Sequence, residues 1–253
     1  MKNPFFYFCL YVFLTVFSEI IKANESAVLA MQEWSFNGPY GTFDRAQLQR
    51  GFQVYKEVCA ACHSLELLSY RNLEALGFSK DEVKAIAREY QVKDGPNNQG
   101  EMFERSALPS DRFAKPYANK EAARATNNGA YPPDLSLITK ARPGGADYVY
   151  ALLTGFKTPP IGMQLNEGLH YNNIFLGNQI AMAPPLSEGI VNYSDGKKAS
   201  VSQMALDVSV FLSWASEPEL EKRKQMGVMV IFYLLAFTIF VFLAMKRIWS
   251  RVK

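Results

Sequence analysis

Residues 44–63 read Asp44-Arg45-Ala46-Gln47-Leu48-Gln49-Arg50-Gly51-Phe52-Gln53-Val54-Tyr55-Lys56-Glu57-Val58-Cys59-Ala60-Ala61-Cys62-His63. Leu48, Phe52, Tyr55 and Cys59 recur at helical spacing, so a helix with one apolar face is predicted from about Asp44. That helix ends in two thiols three positions apart, with an imidazole directly after the second.

Cys59-Ala-Ala-Cys62-His63 has the form of a haem c attachment motif. Two thiols at this separation can form thioethers with the two vinyl groups, and the adjacent His63 supplies one imidazole to the iron. Two other chemistries use similar spacing. A thiol–disulfide centre calls for a β-α-β setting, and no such pattern surrounds the motif. A zinc site needs four ligands; outside these three residues the Cys and His of the chain are only Cys9, in the expected signal peptide, and His170. The expected cofactor is therefore one covalent haem c. Its iron needs a sixth ligand. Met182 stands in Ile180-Ala181-Met182-Ala183-Pro184-Pro185, where two prolines stiffen the chain behind the thioether, whereas His170, Met163, Met102 and Met204 are the other candidates. Against Met182 stands the commoner use of Met as a flexible core filler.

The ends of the chain address it to a membrane. Lys2 followed by the apolar run Phe5 to Phe17 resembles an export signal with cleavage near Ala23, so residues 1–23 are expected to be a signal peptide. Cys9 would leave with it. Met226 to Met245 carries no charge over twenty residues, and a helix rising 1.5 Å per residue would there span roughly 30 Å, the thickness of a bilayer core. Lys222, Arg223 and Lys224 flank one end; Lys246, Arg247, Arg251 and Lys253 flank the other, with Trp249 suited to an interface.

Between these ends, residues 24–220 hold 18 Lys and Arg against 22 Asp and Glu, a net of −4, although the whole chain is +3. A mildly acidic domain argues against nucleic acid as a partner and suits a basic protein. Residues 24–43 suggest an extended arm. Ser79-Lys80-Asp81-Glu82 has the capping-box form, with Val83, Ile86, Ala87 and Tyr90 on the inner face. Residues 91–120 are expected to be loop, Tyr131-Pro132-Pro133-Asp134 a rigid turn, and Ala146 to Thr154 a short helix. Residues 157–200 again read as loop. Ser200 caps a last helix that ends near Ser216, and Glu217-Pro218-Glu219 breaks it before a charged hinge. No strand alternation stands out. The expected fold is mainly α: a cytochrome c-like haem domain with long loops over 24–220, hinge and transmembrane helix over 221–245, and a cytoplasmic tail over 246–253.

The run Arg50 to Val58 leading into the haem motif resembles the cytochrome c1 family of the cytochrome bc1 complex. So do Asn127-Asn128-Gly129-Ala130-Tyr131-Pro132-Pro133-Asp134-Leu135-Ser136, Ala141-Arg142-Pro143-Gly144-Gly145-Ala146-Asp147-Tyr148-Val149 and Met182-Ala183-Pro184-Pro185. The last helix, its acidic break and the C-terminal anchor follow in the family's order. The resemblance implies His63 and Met182 as axial ligands, Arg142 near a haem propionate, and Asn128, Pro132, Pro133 and Tyr148 near the haem. It further implies an electron-transfer subunit that takes one electron from the Rieske iron–sulfur protein and gives it to a soluble cytochrome c beside cytochrome b. The N-terminal signal points to a bacterial inner membrane with the haem domain in the periplasm, ahead of a mitochondrial inner membrane. A haem enzyme or gas sensor with an exchangeable sixth position, and a tethered thiol oxidoreductase, are the competing classes.

Overall fold

The computed structural model describes residues 29–252; the signal-peptide expectation and Cys9 lie outside them. Helix α1 (Arg45–Val54) starts where Asp44 accepts hydrogen bonds from the Ala46 and Gln47 N–H groups at 2.9 and 3.2 Å, a cap of about 1 kcal/mol. Its buried face is Leu48, Gly51, Phe52 and Val54. The helix does not run straight into the haem motif. It widens into a π-turn, Tyr55–Cys59, from which Cys62 and His63 turn back on the Cys59 carbonyl.

A 3₁₀ segment, Tyr70–Leu76, closes on Gly77, whose φ of 96° needs glycine. Then comes α2 (Lys80–Arg88). Its predicted capping box is present: Ser79 Oγ accepts from the Glu82 N–H, and the Glu82 carboxylate accepts from the Ser79 N–H at 2.7 Å. The predicted loop over 91–120 is in part a hairpin, because β1 (Gln91–Asp94) and β2 (Phe103–Ser106) pair antiparallel. Its turn is the Gly95–Glu101 segment, and Arg105 bridges Asp94 and Asp111. These strands bury little on either face, so alternation in the sequence could not reveal them.

Helix α3 (Lys120–Thr126), the short α4 (Ile138–Ala141) and α5 (Gly145–Thr154) follow. The second expected loop contains one further hairpin, β3 (His170–Tyr171) with β4 (Gln179–Ile180). Both hairpins correct the expectation of a chain without strands; the architecture stays mainly helical.

Helix α6 (Val201–Ser216) is the spine, and α1, α4 and α5 all pack on it. Ser200 Oγ caps it by accepting from the Gln203 N–H. Gly51 allows α1 to touch the α6 backbone: a Cβ there would sit 2.1 Å from the Asp207 carbonyl oxygen. Phe52, Tyr55, Tyr70, Phe113, Phe211 and Trp214 form a continuous aromatic cluster around this contact. Asp207, fully buried, is met by Arg50 Nε at 3.0 Å and Gln203 Nε2 at 2.8 Å, so the charge brought into the core is paired.

Helix α7 (Leu220–Trp249) has thirty residues and is the one helix among the described residues long and apolar enough to cross a membrane. The break before it is confined to Glu217–Glu219. The expected hinge over 221–225 is instead the first turn of α7, since Glu221, Lys222, Arg223, Lys224 and Gln225 all favour helix. Arg45 and the Phe43 N–H bind Glu221 at 2.5 and 2.7 Å, and Lys224 Nζ donates to the Phe36 and Gly41 carbonyls. The described part of the arm, residues 29–43, holds no helix or strand and is clasped against the base of α7.

Candidate functional site

Cys59 and Cys62 are both unbridged thiols. Desolvation, with Cys62 adding to it, pushes the Cys59 thiol up to about 12. Redox-active cysteines need the opposite shift, so the pair is poorly suited to thiol–disulfide exchange. No group of three or more Cys, His, Asp or Glu gathers among the described residues.

The imidazole of His63 is oriented from one side. Its Nδ1 lies 2.8 Å from the Pro133 carbonyl oxygen, an acceptor only, so Nδ1 carries the proton and Nε2 presents its lone pair. Burial lowers the pKa of His63 and outweighs the opposing pull of that carbonyl and of Asp134. The ring is thereby kept neutral, as a metal ligand must be. Tyr55 Oη donates to the His63 carbonyl at 3.1 Å, tying the end of the motif back to the aromatic core.

Pro133 is held in turn by a residue that the sequence analysis did not single out as functional. Asp134 accepts from Ser64 Oγ and the Glu66 N–H, both at 2.8 Å, and from the Ser136 N–H at 2.9 Å. The Leu135 N–H donates to the Ser64 carbonyl. Burial would raise the Asp134 pKa, but these donors outweigh it and hold the carboxyl below its ordinary value. Asp134 therefore staples the Pro-Pro turn to the chain just past His63. Its signal was available in the run Asp134-Leu135-Ser136, the pattern of an aspartate that accepts from its own backbone two residues on.

The other nominated residues lie around this pair of segments. Pro132 is half-buried and Pro133 exposed. Arg142 is exposed, shares a cavity of about 330 Å³ with Pro133, Asp134 and Leu137, and has no carboxylate partner among the described residues. Asn128 takes φ 49° ahead of Gly129 at φ 82°, the left-handed end of α3, and its side chain lies against Gly168. Tyr148 is half-buried on α5. Met182 is half-buried two residues past β4, and His170 sits directly across from Ile180 in the same hairpin. Met182 and His170 thus belong to one structural unit. Among the described residues, no hydrogen bond joins that unit to His63.

The donor set fits a haem c. Two unbridged thiols lie at the motif spacing, the imidazole offers Nε2, and the Arg142 guanidinium, without a carboxylate partner among the described residues, is available for an acid group. The loop carrying Met182 also leaves Met163, Leu165, Leu169, Ile174 and Phe175 only partly covered by protein. A large flat apolar group would cover such surface.

Comparison with known proteins agrees. A sequence model described as the Cytochrome C1 family matches residues 34–252. Cytochrome c1 of Rhodospirillum rubrum is 43% identical over 249 residues, covering 92% of each chain. The mitochondrial cytochrome c1-1 heme protein of Solanum tuberosum is 54% identical over 201 residues, 79% of this chain and 63% of its own length. The mitochondrial cytochrome b-c1 complex catalytic subunit of Candida albicans is 47% identical over 221 residues, 87% of this chain and 77% of its own. The site and the single apolar helix define a membrane-anchored c-type cytochrome. The chain belongs to the cytochrome c1 family.

Proposed function

We propose that the protein is the haem-carrying electron-transfer subunit of a cytochrome bc1 complex. It takes one electron from a Rieske iron–sulfur protein and passes it to a soluble cytochrome c, with cytochrome b as its membrane neighbour. The observation that carries this is the orientation of His63 by the Pro133 carbonyl, in a chain of the cytochrome c1 family.

Cys59 and Cys62 would hold the haem by two thioethers, and His63 and Met182 would ligate its iron. When bound, the haem supplies a one-electron Fe(III)/Fe(II) couple, which a thioether ligand shifts to higher potential. The protein's own residues hold and tune. Pro133 fixes the His63 tautomer, Asp134 fixes Pro133, and Arg142 offers positive charge for a propionate. Pro132, Asn128 and Tyr148 shape the surrounding wall. No substrate bond is made or broken by any of them.

The haem domain is placed outside the cytoplasm of a bacterial inner membrane. The N-terminal run Phe5 to Phe17 behind Lys2 supports export, and α7 supplies one crossing. A mitochondrial inner membrane is the second location, since relatives of both origins match. Gentle solubilisation of membranes should bring down a b-type cytochrome and a Rieske protein with this chain. A haem protein that purifies alone under those conditions would refute the assignment. Protease added to spheroplasts should digest the haem domain and spare the tail after Lys246.

A further inference from the structure

Asn172 is fully buried in a stretch of chain that otherwise hides little from solvent. Its side-chain amide is wholly committed. Nδ2 donates to the Leu152 carbonyl at 2.8 Å, and Oδ1 accepts from the Ile174 and Phe175 N–H groups at 3.0 and 3.2 Å. The backbone N–H of Asn172 donates to the Asn178 carbonyl at 3.1 Å and closes the β3–β4 hairpin. Oδ1 faces two donors and Nδ2 faces an acceptor, so the amide fits in this orientation only.

Leu152 lies in the last turn of α5, where a helix leaves carbonyls without intrahelical partners. Asn172 therefore joins the hairpin to the end of α5. The backbone beside it extends the same joint. The Asn173 N–H donates to the Gly155 carbonyl at 3.1 Å, and Phe156 pairs with Asn172 in a single antiparallel bridge. So close an approach needs glycine: a Cβ on Gly155 would sit 2.8 Å from Asn173 Oδ1 and 2.9 Å from Ile174 Cγ1.

The joint bears on iron ligation. Met182 follows Asn178 by four residues, directly after β4. Helix α5 packs on α6, and so does α1, which delivers the haem motif. Asn172 is thus a buried tie between the loop carrying Met182 and the frame that holds His63. A thioether tethered to the chain competes with free ligands through its effective concentration at the iron, which falls as its tether loosens.

We propose that Asn172 is a positioning residue for the sixth iron ligand: by pinning the β3–β4 hairpin to the end of α5, it fixes where Met182 stands relative to His63. The proposal rests on the reading of His63 and Met182 as the iron ligands.

The test uses the full-length, haem-loaded protein in detergent. The ferric form is titrated with imidazole as a competing ligand, while the thioether-to-iron charge-transfer band and the reduction potential are recorded. In Asn172→Ala imidazole should bind at least tenfold more tightly, the band should weaken, and the potential should fall, by less than in Met182→Leu. Gly155→Ala strains the same joint from the α5 side with Asn172 intact, and should shift all three in the same direction. It decides the matter if Asn172→Ala yields no haem protein. Ser79→Ala removes the cap of α2, away from the hairpin, and should lower the melting temperature without moving imidazole affinity, band or potential. Parent-like imidazole affinity in the joint variants overturns the proposal, and leaves the ligand reading standing if Met182→Leu still alters band and potential. A shift in Ser79→Ala equal to that in Asn172→Ala also overturns it, by making the effect one of general stability. If Met182→Leu itself changes nothing, the ligand reading falls and the proposal falls with it.

Discussion

The two halves of the proposed haem site are built on different footings. Residues 44–63 stand on a packed core: Leu48, Phe52, Val54 and Tyr55 are buried, α1 touches the α6 backbone through Gly51, and six aromatic rings surround the contact. Residues 157–182 stand on little besides local hydrogen bonds and a two-residue hairpin, and only Asn172 and Ile180 among them are buried. The attachment half is preorganised by the protein's own hydrophobic burial. The half carrying Met182 leaves apolar side chains uncovered, so its order depends on what it packs against. In the proposed site, covalent capture and axial tuning would thus be separable properties.

The strongest way to break the comparison is to remove the capture step. Replacing Cys59 and Cys62 together by Ala should abolish covalent haem, measured by haem staining after denaturation. It should also unfold the 157–182 half far more than α1 and α6, which hydrogen exchange by segment would resolve. Equal loss of protection in both halves would show that the footing is shared.

Next in size is the core half itself. Gly51→Val places a branched side chain where a Cβ already meets the Asp207 carbonyl at 2.1 Å. The helices must separate, and the cost should lie at or beyond the upper end of the ~1–3 kcal/mol seen for overpacked cores. Thermal unfolding and the yield of haem-bearing protein both report it.

Met182→Leu probes the loop half. Haem should remain attached and the melting temperature nearly unchanged, while the reduction potential falls, because a thioether favours ferrous iron. A potential equal to that of the parent protein would shift attention to His170, which lies opposite Ile180 on the same hairpin.

The smallest effect concerns the link between the halves. The Asp134 carboxyl is held below its ordinary value by its hydrogen bonds. A group with a depressed folded pKa stabilises the fold above its unfolded value of ~3.9 and loses that contribution as the pH falls through the folded value. Asp134→Ala should therefore cost ~1–3 kcal/mol near neutrality, and the gap from the parent protein should close in acid. A gap that persists unchanged at low pH would mean that the carboxylate charge plays no part.

Much of this could be read from residues alone, wherever the cause is local. The Ser79 and Ser200 caps appear where the sequence places them, since a cap needs only a side-chain oxygen and the next three N–H groups. The haem motif and the apolar span are likewise contiguous signals. The two hairpins were not legible: the strands of the first bury little on either face, and those of the second are two residues long, too short to show a period. Residues 221–225 are charged but favour helix, and α7 runs through them. The role of Asp134 was hidden because its partners Ser64 and Glu66 lie about seventy residues away. The sequence by itself determined helices α1, α2, α5 and α6, the cofactor chemistry and the apolar span. The tertiary structure alone decided that Pro133 meets His63, that Gly51 meets Asp207, and that the arm closes on α7. Those contacts join residues distant in the chain, and their geometry depends on how the helices pack rather than on any local pattern.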